Sequence, residues 1–316
     1  MDKKIPTRDG FGEELVALAK ENDKIIVVSA DLEDATRAEY FKKAYPNRFF
    51  TVGIAEQDMV GMAAGLSLMG FKCFVNSFAV FLTNRAYDMI RLDLCYNNCD
   101  VKIICSHAGI TVGPDGASAQ CLEDLALMRV LPNLKVICPA DYIEAKKATR
   151  AITKEYGPMY LRTSRAPLPV ITKEEDTFKI GKANCLREGT DVTVIACGVM
   201  VSESLSAADI LEKENIKLKV INMHTIKPLD EEAIINSARQ TGCIVTAEEH
   251  QINGGLGSAV AEVLARNYPV PLEMVAVRDV FGESGTPDEL MKSYNLKDSD
   301  IANAARAVLS RKIKDR

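Results

Sequence analysis

The sequence predicts two α/β domains in tandem, the first built on a mainly parallel sheet. Three observations support this reading. Short β-branched runs alternate with longer stretches of helical period, the imprint that parallel strands and their crossover helices leave on a chain. A turn-rich, helix-poor segment over 166–173, with Pro167 and Pro169, interrupts the alternation. At 316 residues the chain exceeds the usual size of one domain. The expected domains are therefore 1–170 and 171–316.

In chain order, the first domain should hold strands at 25–29, at a run ending near Val52, and at 71–76, 101–105, 135–138 and 159–161. Each is short, apolar and flanked by helix-period sequence, as strands covered on both faces require. The second domain should hold strands at 191–196, 217–221 and 243–247, with helices at 202–211, 230–238 and 257–265. No short repeat or low-complexity tract occurs, which sets solenoids and propellers aside.

Hydrophobic residues make up 47% of the chain and charged residues 26%, at a net charge of -5. Such a balance argues against a disordered tail or a nucleic-acid footprint and favours a small molecule or another protein as partner. The nine cysteines are odd in number, and Cys105, Cys138 and Cys197 lie in apolar runs, so they read as buried thiols of a reducing compartment. Cys95 and Cys99 lack a second pair or a nearby histidine, and packing explains them better than zinc. Without a signal-like start or 18 uninterrupted apolar residues, the expectation is a soluble cytoplasmic protein with no membrane contact.

Four segments could carry chemistry. Gly53-Ile54-Ala55-Glu56-Gln57-Asp58-Met59 joins a strand end to a helix start, the place where open α/β sheets hold ligands. Glu56 is then either a helix-capping acid favoured by the macrodipole or a site carboxyl. Ser77-Phe78-Ala79-Val80-Phe81 sets two rings on one face of an expected helix start, for core packing or for a ligand. The Gly-rich stretch from Ser106 and His107 to Asp115 and Ser118 brings a rare histidine beside an acid and hydroxyls, which favours a polar site; lacking a lysine, it is no Walker-type loop. Arg162-Thr163-Ser164-Arg165 offers two guanidinium groups at a strand end, for a bidentate anion or an ion pair. All four follow strands of one sheet and could converge on one crevice.

In this order, Gly-Ile-Ala-Glu-Gln, Ser-Phe-Ala-x-Phe, Ser-His-x-Gly-Ile, Gly-x-Asp-Gly-Ala-Ser and Arg-Thr-Ser-Arg resemble the pyrimidine-binding domain of transketolases. From about residue 185 onward, Thr225-Ile226-Lys227-Pro228-Leu229-Asp230, Glu248-Glu249-His250 and Gly254-Gly255-Leu256-Gly257 resemble the transketolase C-terminal domain. The resemblance implies thiamine diphosphate as cofactor and transfer of a two-carbon ketol unit from a ketose to an aldose phosphate. Glu56 would bond N1′ of the aminopyrimidine and favour its imino tautomer, with Ile54, Phe78 and Phe81 lining the ring. His107 would bind donor hydroxyls near the reacting carbonyl and share in catalysis with Glu56. Asp115 would contact a donor hydroxyl, and Arg165 with Arg8 would hold the acceptor phosphate.

The family's metal and diphosphate motif, Gly-Asp-Gly followed by Asn, is not found here, and the chain starts where that part of a full-length enzyme would end. The expectation is a partner subunit bringing the Mg2+ and diphosphate ligands, an interfacial active site and an α2β2 assembly, with no metal ligands in this chain. Pro114 stands where the family commonly has Glu, and Ala119 where it has His or Gln; Ala35 and Thr36 fall near a usual phosphate-contacting serine. Alanine offers no hydrogen bond, so the expected sugar is a specialised one, such as a modified or sulfonated ketose.

Alternatives are a 1-deoxyxylulose-5-phosphate synthase, whose helix Asn84-Arg85-Ala86-Tyr87-Asp88 resembles, a 2-oxoacid dehydrogenase β subunit, and a non-catalytic scaffold. The intact Glu56, paired phenylalanines and His107 disfavour the last. His224 and His250 lie in the second domain, which in this family mostly supports the dimer, and Glu248-Glu249-His250 with the following glycines reads as interdomain packing rather than a helix-N-terminal anion site.

Overall fold

The computed structural model describes residues 3–312. A seven-stranded sheet organises the first domain, in the order Thr225–Lys227, Lys135–Ile137, Met159–Arg162, Val101–Ser106, Lys72–Phe78, Ile25–Ser29 and Phe49–Thr51. All pairings are parallel except that of Thr225–Lys227. Side chains alternate across a strand, so one run serves two cores. Ile25 and Val27 join Phe11, Leu15, Phe74 and Ile152 beneath the helices Thr7–Glu21 and Tyr142–Lys154. Ile26 and Val28 join Met59, Val60 and Ala63 of the helix Glu56–Leu68 on the opposite face. Burial on both faces explains why Ile25–Ser29 is apolar without interruption up to its last residue.

The second sheet runs Leu272–Val277, Ile244–Gln251, Val192–Ala196, Leu218–Asn222 and Asn184–Arg187, parallel but for the last edge. Helices Met200–Glu212 and Asp298–Ser310 cover one face, while Glu231–Thr241 and Leu256–Asn267 cover the other.

The two sheets do not divide cleanly at residue 170. Thr225–Lys227, which follows a strand of the second sheet, crosses over and pairs antiparallel with Lys135–Ile137 of the first. The seam between them is a continuous apolar core in which Val136 and Cys138 meet Ile195, Cys197, Ile221 and Met223. Asp141 fixes the linker there: one carboxylate oxygen caps Tyr142–Lys154 by accepting from the Glu144 amide at 2.8 Å, and the other accepts from the Ile171 and Thr172 amides at 2.7 and 2.6 Å. The expected turn-rich segment contributes Leu168–Pro169, which pairs with Lys4–Ile5.

All nine cysteines are free thiols, and eight are buried. Cys99 donates to the Asp93 carbonyl at 3.2 Å, a packing role. Among the described residues no helix is long and apolar enough to cross a membrane.

Candidate active site

Glu56, Phe78, His107 and Arg165 each lie at or just past the carboxyl end of a different strand of the first sheet, and the strand order makes those strands near neighbours. After Phe49–Thr51, Gly53 takes φ 74°, in the left-handed region that glycine enters without strain. The turn throws Ile54 outward, 75% exposed, and turns Glu56 inward, 3% exposed, as the first residue of its helix. There the helix N-terminus favours a negative charge, so the capping role and the site role are compatible at this residue.

Phe78 is the last residue of the strand Lys72–Phe78, not the start of a helix as expected; the chain then turns into a π-helical segment, Phe81–Arg85. The rings of Phe78 and Phe81 still meet, nearly parallel at 15° with centroids 5.5 Å apart. The imidazole of His107 also stacks on Phe78, at 3.7 Å and 16°. At the other end the Arg85 guanidinium lies 4.3 Å over the Phe81 ring and reaches both Glu56 oxygens, at 3.3 and 3.4 Å. A chain of contacts therefore links Glu56, Arg85, Phe81, Phe78 and His107, and no motif pointed to Arg85 as a member.

His107 sits at φ 59°, a costly conformation for a residue with a Cβ and one that clusters at functional sites. The ring stack and the Ser106 hydroxyl, 2.8 Å from Nδ1, hold it there. Burial, and then the guanidinium groups of Arg8, Arg165 and Arg37, depress its pKa to about 3. The imidazole is thus neutral across the physiological range, a hydrogen-bonding group rather than a charge.

Arg8 and Arg165 come from opposite ends of the first domain. The strapping of Thr7 to Ser164 brings their segments together. Arg8 donates to the Ala35 carbonyl at 2.7 Å, and its Nε is buried without a partner. Arg165 donates to the Val112 carbonyl at 2.7 Å and stands 3.6 Å from Asp115, so the expected anion-binding arginine and hydroxyl-binding acid are neighbours. Arg37, paired with Asp9 at 2.6 Å, adds a third guanidinium that the sequence reading did not include.

Arg162 does not join this cluster; of the two readings left open for the tetrapeptide, a shared anion or an ion pair, it takes the interdomain ion pair. Its side chain turns into the interdomain seam, donating to Asp124 at 2.8 and 3.2 Å and to the Glu249 carbonyl at 3.1 Å. Burial opposes both charges, yet each holds the other ionised, with the Asp124 carboxyl below and the Arg162 guanidinium above its ordinary value. Glu249 reaches across to accept from the amide and hydroxyl of Thr111 at 3.1 and 2.8 Å, and a Cβ on Gly109 would collide with its carboxylate. Glu248 fills the helix N-terminus at Leu256 and Gly257 itself, at 2.7 and 2.8 Å, which is the packing role and leaves no room for a bound anion.

A buried carboxyl, two parallel phenyl rings and an outward aliphatic side chain form a set that fits a flat heteroaromatic ring bearing a nitrogen. Among the described residues, no group of three or more His, Cys, Asp or Glu side chains is placed to hold a metal ion.

Two families match the chain: transketolase, pyrimidine binding domain, over residues 3–170, and transketolase, C-terminal domain, over residues 181–301. A putative transketolase C-terminal section of Methanocaldococcus jannaschii is 46% identical over 298 residues, with 93% of each chain covered. The 6-deoxy-6-sulfo-D-fructose transketolase subunit of a Clostridium species is 42% identical over 305 residues, covering 96% of this chain and 95% of that one. A solved structure described as a split gene transketolase, inactive beta4 tetramer, superposes with a TM-score of 0.92 at 46% identity, covering 98% of this chain and all of that one.

Proposed function

The chain belongs to the transketolase family, and from that premise we propose that it is one half of a two-chain enzyme, contributing the aminopyrimidine side of a thiamine diphosphate site. The observation that carries the proposal is the buried Glu56 carboxyl, linked through Arg85 to the stacked Phe81 and Phe78 rings. Bound there, thiamine diphosphate supplies the electron sink that ketol transfer needs. Glu56 would hold or release a proton at a nitrogen of the ring, and Ile54, Phe78 and Phe81 would line it.

His107, neutral and immobilised, offers a hydrogen bond to the hydroxyls of a ketose beside its carbonyl, with Asp115 farther along the sugar. Arg8 and Arg165 anchor the anionic tail of the acceptor, so that binding energy at the remote end orients the reacting end. Pro114 and Ala119 stand where the family commonly has Glu and His or Gln, the Ala119 side chain offers a donor hydroxyl no hydrogen bond, and one relative is named for a sulfonated ketose. We read the donor class as a modified or sulfonated ketose and the acceptor as an aldose phosphate.

A separate N-terminal subunit supplies the Mg2+ and diphosphate ligands in this account, within an α2β2 assembly in the cytoplasm. Relatives of the same length are named as a section and a subunit, and the solved one is described as inactive when four β chains assemble. Calorimetry tests the division directly: thiamine diphosphate with Mg2+ binds tightly to the reconstituted pair and not to this chain alone. Tight binding of both by this chain would overturn it.

A further inference from the structure

Arg85 is unusual among the charged residues around Glu56. It is half-exposed, yet its guanidinium touches both oxygens of a carboxyl that is itself almost fully buried. Its position follows from the backbone. A regular helix over 81–85 would present each turn at 3.6 residues; the π-helical turn Phe81–Arg85 widens it, and such turns are frequent at functional sites. The wider turn lays the Arg85 side chain back over the Phe81 ring at 4.3 Å and points its end at Glu56. Gln57, next to Glu56, donates from its side-chain amide to the Arg85 carbonyl at 2.9 Å, so the two segments are tied by backbone as well as by charge.

We propose that Arg85 is a positioning residue for the Glu56 carboxyl, orienting it and stabilising it as a carboxylate whenever its proton has passed to the ring nitrogen it faces. The inference rests on the assignment of Glu56 as the partner of that nitrogen. The transfer is balanced within the pair: the O–H bond of Glu56 breaks, an N–H bond forms, and the proton later returns by the same path. Without a cation beside it, the carboxylate would be left in a water-poor pocket with only the helix N-terminus to offset its charge. The guanidinium supplies the rest, and the Phe81 face beneath it limits the orientations it can adopt.

The test uses the chain reconstituted with its partner subunit. Arg85→Met keeps the length and the contact with Phe81 but removes the charge; Arg85→Lys restores a charge without the fork. Arg85→Met is expected to lower kcat by about tenfold, less than the loss of a fully enclosed donor because Arg85 is half-exposed. KM for both sugars and the affinity for thiamine diphosphate should stay within about twofold, since Arg85 touches neither anion site. Arg85→Lys should recover most of the rate. A readout independent of turnover is the ultraviolet circular dichroism of the bound aminopyrimidine, whose bands differ between its tautomers; the imino band should weaken in Arg85→Met and return in Arg85→Lys.

Unchanged kcat and tautomer bands in Arg85→Met, or an equal defect in Arg85→Lys, would overturn the inference. Glu56→Gln separates this from the underlying assignment. If Glu56→Gln abolishes turnover while Arg85→Met leaves it intact, only the role of Arg85 fails; if Glu56→Gln is fully active, the assignment of Glu56 fails first.

Discussion

Thr7 and Ser164, 157 residues apart, hold each other by three hydrogen bonds: the Thr7 amide and hydroxyl donate to the Ser164 oxygen at 3.1 Å, and the Ser164 amide donates to the Thr7 oxygen at 2.6 Å. Each sits immediately before one of the two arginines proposed to hold the acceptor's anionic tail, so the pair sets the spacing of Arg8 and Arg165. Ser164→Ala leaves two buried donors of Thr7 unmatched, at roughly 1–3 kcal/mol. The expected result is a raised KM for a phosphorylated acceptor with little change in kcat, and no change toward an acceptor lacking the phosphate. Steady-state kinetics with both acceptors checks this.

Acid should destabilise the fold through its buried histidines. Burial lowers the pKa of His107 to about 3 and that of His224 to about 4, so the folded state refuses protons that the unfolded chain accepts below pH 6.5. Stability is therefore lost as pH falls below 6.5, at up to about 1.4 kcal/mol per pH unit for each. Chemical denaturation of wild type and His224→Gln between pH 7 and 4.5 should show a shallower loss in the variant.

Glu144 acts with the opposite sign. Burial pushes its carboxyl up to about 7, although it accepts from the Ala140 amide at 2.6 Å and from Asn222 of the second sheet at 2.7 Å. The folded state then binds a proton more readily than the unfolded one, so this group favours the fold as pH drops from 7 toward 4.5. Glu144→Gln should gain stability relative to wild type above pH 7, by on the order of 1–3 kcal/mol, and lose that advantage in mild acid. Denaturation midpoints at pH 8 and pH 5 decide it.

The seam depends on a complete charge pair. Asp124→Ala leaves the buried Arg162 with only the Glu249 carboxylate, 3.6 Å away, and the Tyr160 hydroxyl without its acceptor, at about 3–5 kcal/mol, whereas replacing both Asp124 and Arg162 with apolar residues of similar volume should cost less. Thermal unfolding of the single and double variants measures the difference.

Donor preference should follow the loop. Gln120 spends its amide on the carbonyls of Ile110, Gly113 and Glu283, at 3.3, 3.4 and 3.0 Å, and Ala119 beside it has no donor. Ala119→His is expected to raise kcat/KM for xylulose 5-phosphate relative to a sulfonated ketose, by about tenfold or more for one restored hydrogen bond. Equal efficiency would count against a specialised pocket.

Much of this arrangement was legible before folding, for identifiable reasons. Runs such as Ile25–Ser29 are buried on both faces and announce themselves as strands, and Glu56 and His107 stood out because an acid and a rare histidine followed such runs. What escaped depended on distance in sequence. Thr225–Lys227 joins the first sheet although its neighbours belong to the second, and three residues carry too little pattern to reveal a crossover. Arg162 and Arg165 share a tetrapeptide, yet a strand's alternation and the turn after it send them to different partners, Asp124 and Asp115. Arg85 was invisible as a site residue because only a π-helical turn brings it back to Glu56.

The central claim is that the carboxyl of Glu56 works on the ring of thiamine diphosphate. It is tested most directly by the turnover of Glu56→Gln, reconstituted with the partner subunit and saturated with Mg2+ and thiamine diphosphate. The account predicts retained cofactor binding with kcat reduced by about a hundredfold or more, the scale of a lost acid-base group. Turnover equal to that of the unaltered pair would contradict it.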